Sequence, residues 1–557
     1  MRKYPSATTV VILFWKKMPI FAPIVVQASK DSFRSRQNNL IEYILKKRKM
    51  NQKEHFIQAI ENGYGFKGSS IVLGGVIYEN EAISGLQVRA PLKMLNRHGL
   101  IAGATGTGKT KTLQVMAERL SDAGVAVLMM DVKGDLSGLS QAGTAHPKID
   151  ERHRKIGTSW NPTAYPVELL SLSDEPGVRL RATISEFGPV LLSKILNLNE
   201  TQQGMVALVF KYCDDKALPL LDIKDFRAVL QHISGEGKAE VQQAYGLVST
   251  STIGTIMRKL LELEQQGAER FFGEKSFEVD DLLRLNDEGK GMIHLLRLTD
   301  LQSKPKLFST FMLCLLAEIY EKFPERGDMD QPELVIFIDE AHLIFNEASK
   351  ALLDQIETIV KLIRSKGVGI FFCTQNPGDI PDAVLSQLGF KIQHALRAFT
   401  AKDRKEIKQV AENYPLSDFY RVDELLTSVG IGEAVVTMLN EKGVPTPLVH
   451  CLLQAPMSRM DVITEAETQK LVRGSQLVSK YNQEMDRESA YELLQRKVLS
   501  AHDNNREELP SRPTGRTKAE PSTFETVMKS PVTNTIIREV TRGLLGVLGI
   551  TTTRRRR

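Results

Sequence analysis

The residues best suited to chemistry lie in one short stretch, Gly103-Ala104-Thr105-Gly106-Thr107-Gly108-Lys109-Thr110. This is the pattern G-x-x-x-x-G-K-[ST], which cradles phosphate. Glycines at Gly103, Gly106 and Gly108 let successive backbone N–H groups point into one concavity, with no side chain in the way of an incoming anion. A helix opening at Lys109 adds the positive end of its dipole. Lys109 is then placed for the β- and γ-phosphates of ATP, the Thr110 hydroxyl for Mg²⁺, and Lys111 for the same phosphate cradle.

Hydrolysis needs acids opposite that loop, and one stretch supplies them. Glu333-Leu334-Val335-Ile336-Phe337-Ile338-Asp339-Glu340-Ala341-His342 is an apolar run ending in two carboxylates. Asp339 would hold the Mg²⁺ shell, and Glu340 would orient or deprotonate the attacking water. His342 is either a site residue or a packing residue of the turn after the strand. A third apolar run, Val368-Gly369-Ile370-Phe371-Phe372-Cys373-Thr374, presents Gln375, either to the γ-phosphate and the water or to a turn. Asp131 ends another run, Val125 to Asp131, and Asp135 follows in the turn beyond it, as site acids or as turn caps. Arg364, Arg397 and Arg404 are the candidates for a phosphate-contacting arginine finger.

These residues need strands that end side by side. Continuous apolar runs are the mark of strands buried on both faces of a parallel sheet, and helical periodicity lies between them. The chain therefore reads as α/β, a P-loop NTPase core with a mainly parallel sheet. Residues 96–145 and 291–455 form the core. A short β-rich segment over 50–95 precedes it, with strands near Ser70–Tyr78 and Leu86–Ala90. A mainly helical insertion covers 146–290, in which Arg179 to Ile184 reads as a strand. A helical segment comes next over 456–502, then a linker over 503–522 and an amphipathic helix with a basic tail over 523–557.

A chain of 557 residues carries +6 formally, but its ends account for the excess. Residues 1–49 hold eleven Lys/Arg against two Asp/Glu, and residues 509–557 hold ten against three. The body between them is net acidic, so contact with nucleic acid must come from a local patch or from the tail. Residues 1–49 read as a basic extension outside the fold, with Met50 as an alternative start. Their apolar runs fall short of the ~20 residues of a membrane span. Four solitary cysteines, Cys213, Cys314, Cys373 and Cys451, argue against zinc and disulfides and for a reducing cytoplasm.

In order and spacing, the phosphate loop, Asp131-Val132-Lys133-Gly134-Asp135, Asp339-Glu340-Ala341-His342 and Cys373-Thr374-Gln375-Asn376-Pro377 resemble the HerA/FtsK branch of P-loop motor ATPases. The bacterial YjgR-type HerA-like group is similar in further segments, including Asn96 to Ile101 and Leu362 to Gly369. The resemblance implies a RecA-like core, ATP hydrolysis with Mg²⁺, a homo-oligomer (a hexamer in this branch), DNA as the track, and a nuclease or other protein partner. Residues 50–95 are shorter than the N-terminal barrel through which such a partner docks. A superfamily-two helicase, suggested by the Asp-Glu-Ala-His string, is excluded by the 230 residues between Lys109 and Asp339. A nucleotide-dependent switch or scaffold for a protein partner stays open as the second function.

Overall fold

The computed structural model describes residues 52–299, 304–345, 350–483, 485 and 487–497. The basic extension, the linker and the amphipathic tail helix lie outside the described residues. The chain divides after Gln58, and residues 52–58 are helical. The unit from Ala59 onward contains the sheet and every residue of the candidate site.

In chain order its strands are β1 (Ser70–Tyr78), β2 (Glu81–Pro91), β3 (Gly99–Ala102), β4 (Ala126–Asp131), β5 (Val167–Ser171), β6 (Val178–Arg179), β7 (Ile293–Arg297), β8 (Leu334–Ile338), β9 (Val368–Thr374), β10 (Phe390–Gln393), β11 (Glu433–Thr437) and β12 (Val449–Leu453). They form one sheet in the order β2-β1-β12-β11-β10-β3-β9-β8-β4-β7-β5-β6. From β10 to β6 every pairing is parallel. From β10 to β2 every pairing is antiparallel. Strands β3, β4, β8 and β9 are buried at every residue, as their unbroken apolar runs require. With the phosphate loop at the end of β3, this is a mainly parallel α/β core of P-loop type.

The mainly parallel sheet matches the sequence reading, with two differences. Val167–Ser171 joins the sheet beside β7, although it lies within the stretch read as mainly helical. The strand expected over Arg179 to Ile184 is confined to Val178–Arg179, and Ile184 already begins a helix. Thr183 explains the early start: its side chain and Glu186 close a reciprocal capping box. Gly188, at φ +67°, and Pro189 then kink that helix. Equivalent boxes at Asn199 and Asp222 open Glu200–Lys216 and Ile223–Ser234, and Ser249 caps Thr250–Gln265. These helices pack into the same apolar core as the parallel strands. Among the described residues no helix is long and apolar enough to cross a membrane, and the four cysteines are buried and free.

His98 ties the start of β3 to two neighbours. Its Nδ1 accepts the Ile370 N–H at 3.0 Å, so its Nε2–H donates to the Val360 carbonyl at 2.7 Å. Burial pushes the imidazole down to about 4; the Val360 bond opposes this, and the Arg364 charge adds to it. The folded value lies below the unfolded value near 6.5, so the neutral ring's contribution is complete above that pH and is lost as pH falls towards 4. His98→Gln is expected to destabilise the protein by about 1–3 kcal/mol at pH 7, because a buried donor loses its partner. The deficit should shrink or reverse at pH 4.5, as wild type loses roughly 3 kcal/mol that the variant does not. Urea midpoints at the two pH values check this; a deficit independent of pH would refute it.

Candidate nucleotide-binding site

In open parallel sheets ligands gather at the carboxyl ends of the strands, and there β3, β9, β8 and β4 deliver adjacent loops. The loop after β3 is fastened on both sides. Gly103 N–H donates to the Thr374 carbonyl at the end of β9, and Ala104 N–H donates to the Ala395 carbonyl just past β10. Its glycines take backbone angles closed to most side chains, with φ of +153°, +77° and +113° at Gly103, Gly106 and Gly108. A Cβ on Gly103 would lie 2.4 Å from the His394 Cβ, whereas one on Gly106 would meet nothing within 4 Å. Gly103 is therefore a packing requirement, and Gly106 leaves the mouth of the concavity clear.

Lys109 is buried. Its ammonium rests on the loop's own carbonyls, Gly103 O at 2.6 Å and Ala104 O at 3.3 Å. Burial pushes the ammonium down, the Lys133 charge adds to this, and Glu340 and Asp339 oppose it. Thr110 is half-buried in the first turn of Lys109–Asp122. The Lys111 side chain points elsewhere, donating to the Met460 carbonyl at 2.5 Å, so only its backbone is left for the phosphate cradle.

Asp339 and Glu340 stand at the tip of β8, separated from β3 by β9. Burial, reinforced by the Glu340 charge, pushes the Asp339 carboxyl up to about 6. Glu340 is also buried, yet the hydrogen bond and charge of Lys133 outweigh that burial and hold its carboxyl below the usual range. Its backbone is left-handed, φ +47°, and the next N–H, on Ala341, donates to Cys373 O at 2.8 Å. His342 Nδ1 lies 3.2 Å from Glu340 Oε2, which draws His342 into the site. Gln375 is exposed beyond the end of β9, and its Oε1 accepts the Thr105 hydroxyl at 3.4 Å. Loop, acids and amide thus share one edge of the sheet.

The other sequence candidates divide. Asp131 serves its own turn: Oδ1 accepts the Gly134 and Asp135 N–H groups at 2.8 and 3.1 Å, and Oδ2 accepts Leu136 N–H at 3.3 Å. Arg397 is exposed, two residues beyond Ala395, and Arg404 is exposed in Ala401–Glu412. Among the described residues neither forms an ion pair. Arg364 precedes β9 and influences His98, so it sits at the amino edge, about 20 Å of strand from the loop. Sequence reasoning missed three supports of the loop. His394 Nε2 pairs with the Thr112 hydroxyl at 2.9 Å, Gly432 N–H donates to Thr107 O, and Arg152 holds the Gly432 carbonyl at 2.9 Å. The first had a visible signal, a histidine directly after a strand beside β3.

The residues fit a Mg²⁺-nucleotide. The Thr110 hydroxyl and Asp339 carboxylate are hard oxygen donors, and Mg²⁺ takes few protein ligands, completing its shell with phosphate and water.

The helicase HerA-like C-terminal family model matches residues 78–518. The chain belongs to this family. The HerA-like chain is 22% identical over 375 residues to the DNA double-strand break repair helicase HerA of Sulfolobus acidocaldarius, covering 67% of each protein. It is 25% identical over 384 residues to the protein of the same name from Sulfurisphaera tokodaii, covering 66% of this chain and 68% of that one. Among solved structures, the bacterial conjugative coupling protein TrwB is similar at a TM-score of 0.46 and 14% identity, over 70% of this chain and 91% of that one.

Proposed function

We propose that the HerA-like chain is a Mg²⁺-dependent ATPase that works as a homo-oligomeric motor on DNA. One observation carries the hydrolytic part: Lys109 and Thr110, Gln375, and Asp339 with Glu340 meet at one edge on the neighbouring strands β3, β9 and β8. Bound Mg²⁺ would draw charge from the β- and γ-phosphates. The loop N–H groups and Lys109 bind the triphosphate, Thr110 and Asp339 hold the metal shell, and Glu340 takes the water's proton. Gln375 orients that water. The DNA part is supported by what the two relatives are named for.

Finer points belong to the same proposal: a hexameric ring, a nuclease or other protein partner, a cytoplasmic site of action, kinship with the YjgR-type group, and the domain boundaries given above. The ATPase rate with single- and double-stranded DNA at several salt concentrations tests the motor. DNA is expected to stimulate turnover at low salt, with the effect falling steeply as salt rises, because phosphate contacts release counterions. Unstimulated turnover at every salt concentration, together with nucleotide-dependent binding of a protein, would favour the switch instead.

A further inference from the structure

Lys133 is a residue that the hydrolytic reading leaves unused, although it touches the proposed base directly. It sits in the turn after β4, the strand next to β8. Asp131 fastens that turn through three backbone N–H groups, and Gly134 takes a φ of +76°. The carboxylate that resembled a site acid therefore builds the turn that presents Lys133. From there the Lys133 ammonium forms a close ion pair with Glu340 Oε1, while His342 stands at Oε2. The lysine is partly exposed, with 40% side-chain exposure against 7% for Glu340.

We propose that Lys133 is a positioning residue for hydrolysis, its ammonium fixing the Glu340 carboxylate where it receives the proton of the attacking water. The proposal rests on the ATPase reading above. In the step itself, the water oxygen bonds to the γ-phosphorus, its proton passes to Glu340, and the bond from phosphorus to the ADP oxygen breaks. A carboxylate has about four acceptor sites, so contacts from Lys133 and His342 leave Glu340 able to accept that proton. The need for a fixing group arises from the neighbours. Asp339 adds a second buried negative charge beside Glu340, and the left-handed backbone at Glu340 sets where its side chain starts but not where the carboxylate ends. Burial would lower the Lys133 ammonium, yet Glu340 and Asp339 hold it above its usual range.

The test uses the full chain with Lys133→Met, Lys133→Arg, Glu340→Gln and the Lys133→Met/Glu340→Gln double variant. Steady-state ATPase gives kcat and KM, binding of a fluorescent ADP gives affinity, and thermal melting checks folding. Lys133→Met is expected to lower kcat at least about tenfold, with KM and ADP affinity within about twofold of wild type. Lys133→Arg should regain part of the loss, and the double variant should be no slower than Glu340→Gln. Wild-type kcat in Lys133→Met overturns the proposal. So does a loss expressed in KM and affinity, which would make Lys133 a phosphate ligand. A multiplicative loss in the double variant overturns it as well. Full turnover in Glu340→Gln would instead overturn the assignment of the base, a separate failure that the same data set identifies.

Discussion

Lys109→Ala is expected to reduce ATP turnover by about 10³-fold, the loss typical of removing one preorganised donor from a developing anion. Nucleotide affinity should fall as well, by roughly 10- to 100-fold, since a charge-assisted hydrogen bond contributes about 1.5–3 kcal/mol. The reason lies in where the ammonium is held. Lys109 is buried at the foot of the loop, and among the described residues its ammonium bonds to the carbonyls of Gly103 and Ala104, so it is held by the loop that is to bind the phosphates. Removing it takes a burdened charge out of the interior. The variant's melting temperature without nucleotide should therefore equal or exceed that of wild type, while the rise on adding Mg²⁺-ATP, which reports binding to the native state, should shrink. A variant that still hydrolyses ATP at a tenth of the wild-type rate would remove the loop from the mechanism.

The parts of this site that could be read in the chain are those that local pattern encodes. Leu334–Ile338 is apolar throughout, Val368–Thr374 is apolar up to its last residue, and both are buried throughout, so Asp339 and Gln375 could be placed at strand tips from sequence. The glycine spacing of the loop required no tertiary knowledge. By contrast, β5 escaped because Val167–Ser171 is short and carries Glu168. That carboxylate is tolerated inside because it faces Arg284 and Ser475, partners distant in the chain. Asp131 shows a second limit. An acid at a strand tip can serve a ligand or its own turn, and only the directions of the Gly134, Asp135 and Leu136 N–H groups decide between them.

Lys133 and Arg364 show the limit from both sides. The ion pair of Lys133 with Glu340 joins loops from two neighbouring strands, and no spacing rule foretells it. Arg364 could have been placed from the sequence: it precedes β9, the loop comes after β3, and parallel strands put those points at opposite edges of the sheet. Its effect on His98 agrees, since His98 stands immediately before β3.

That placement keeps Arg364 away from its own subunit's loop but not from a neighbour's, so Arg364, Arg397 and Arg404 all stay candidates for an arginine finger, and Arg397→Ala is expected to have the largest effect. Arg397 comes two residues after Ala395, which is bonded to the loop, and its guanidinium is exposed with no ion pair among the described residues. A guanidinium with no ion pair among the described residues is free to complete the site of a neighbour. Arg397→Ala should then lose roughly 10³-fold or more in turnover, the range of arginines that stabilise phosphoryl transfer, while ADP affinity and the assembly's size by light scattering stay unchanged. Arg404→Ala, on the exposed face of Ala401–Glu412, should stay within about threefold of wild type, as a surface residue does. Mixing separates action within a subunit from action across an interface. Subunits carrying Arg397→Ala keep a sound loop, and subunits carrying Lys109→Ala keep a sound arginine, so neighbours of the two kinds can rebuild a complete site. Activity in the mixture, with neither variant active alone, is the expected result. Silence at every mixing ratio would confine Arg397 to its own subunit, and loss of turnover in Arg404→Ala alone would transfer the role to that residue.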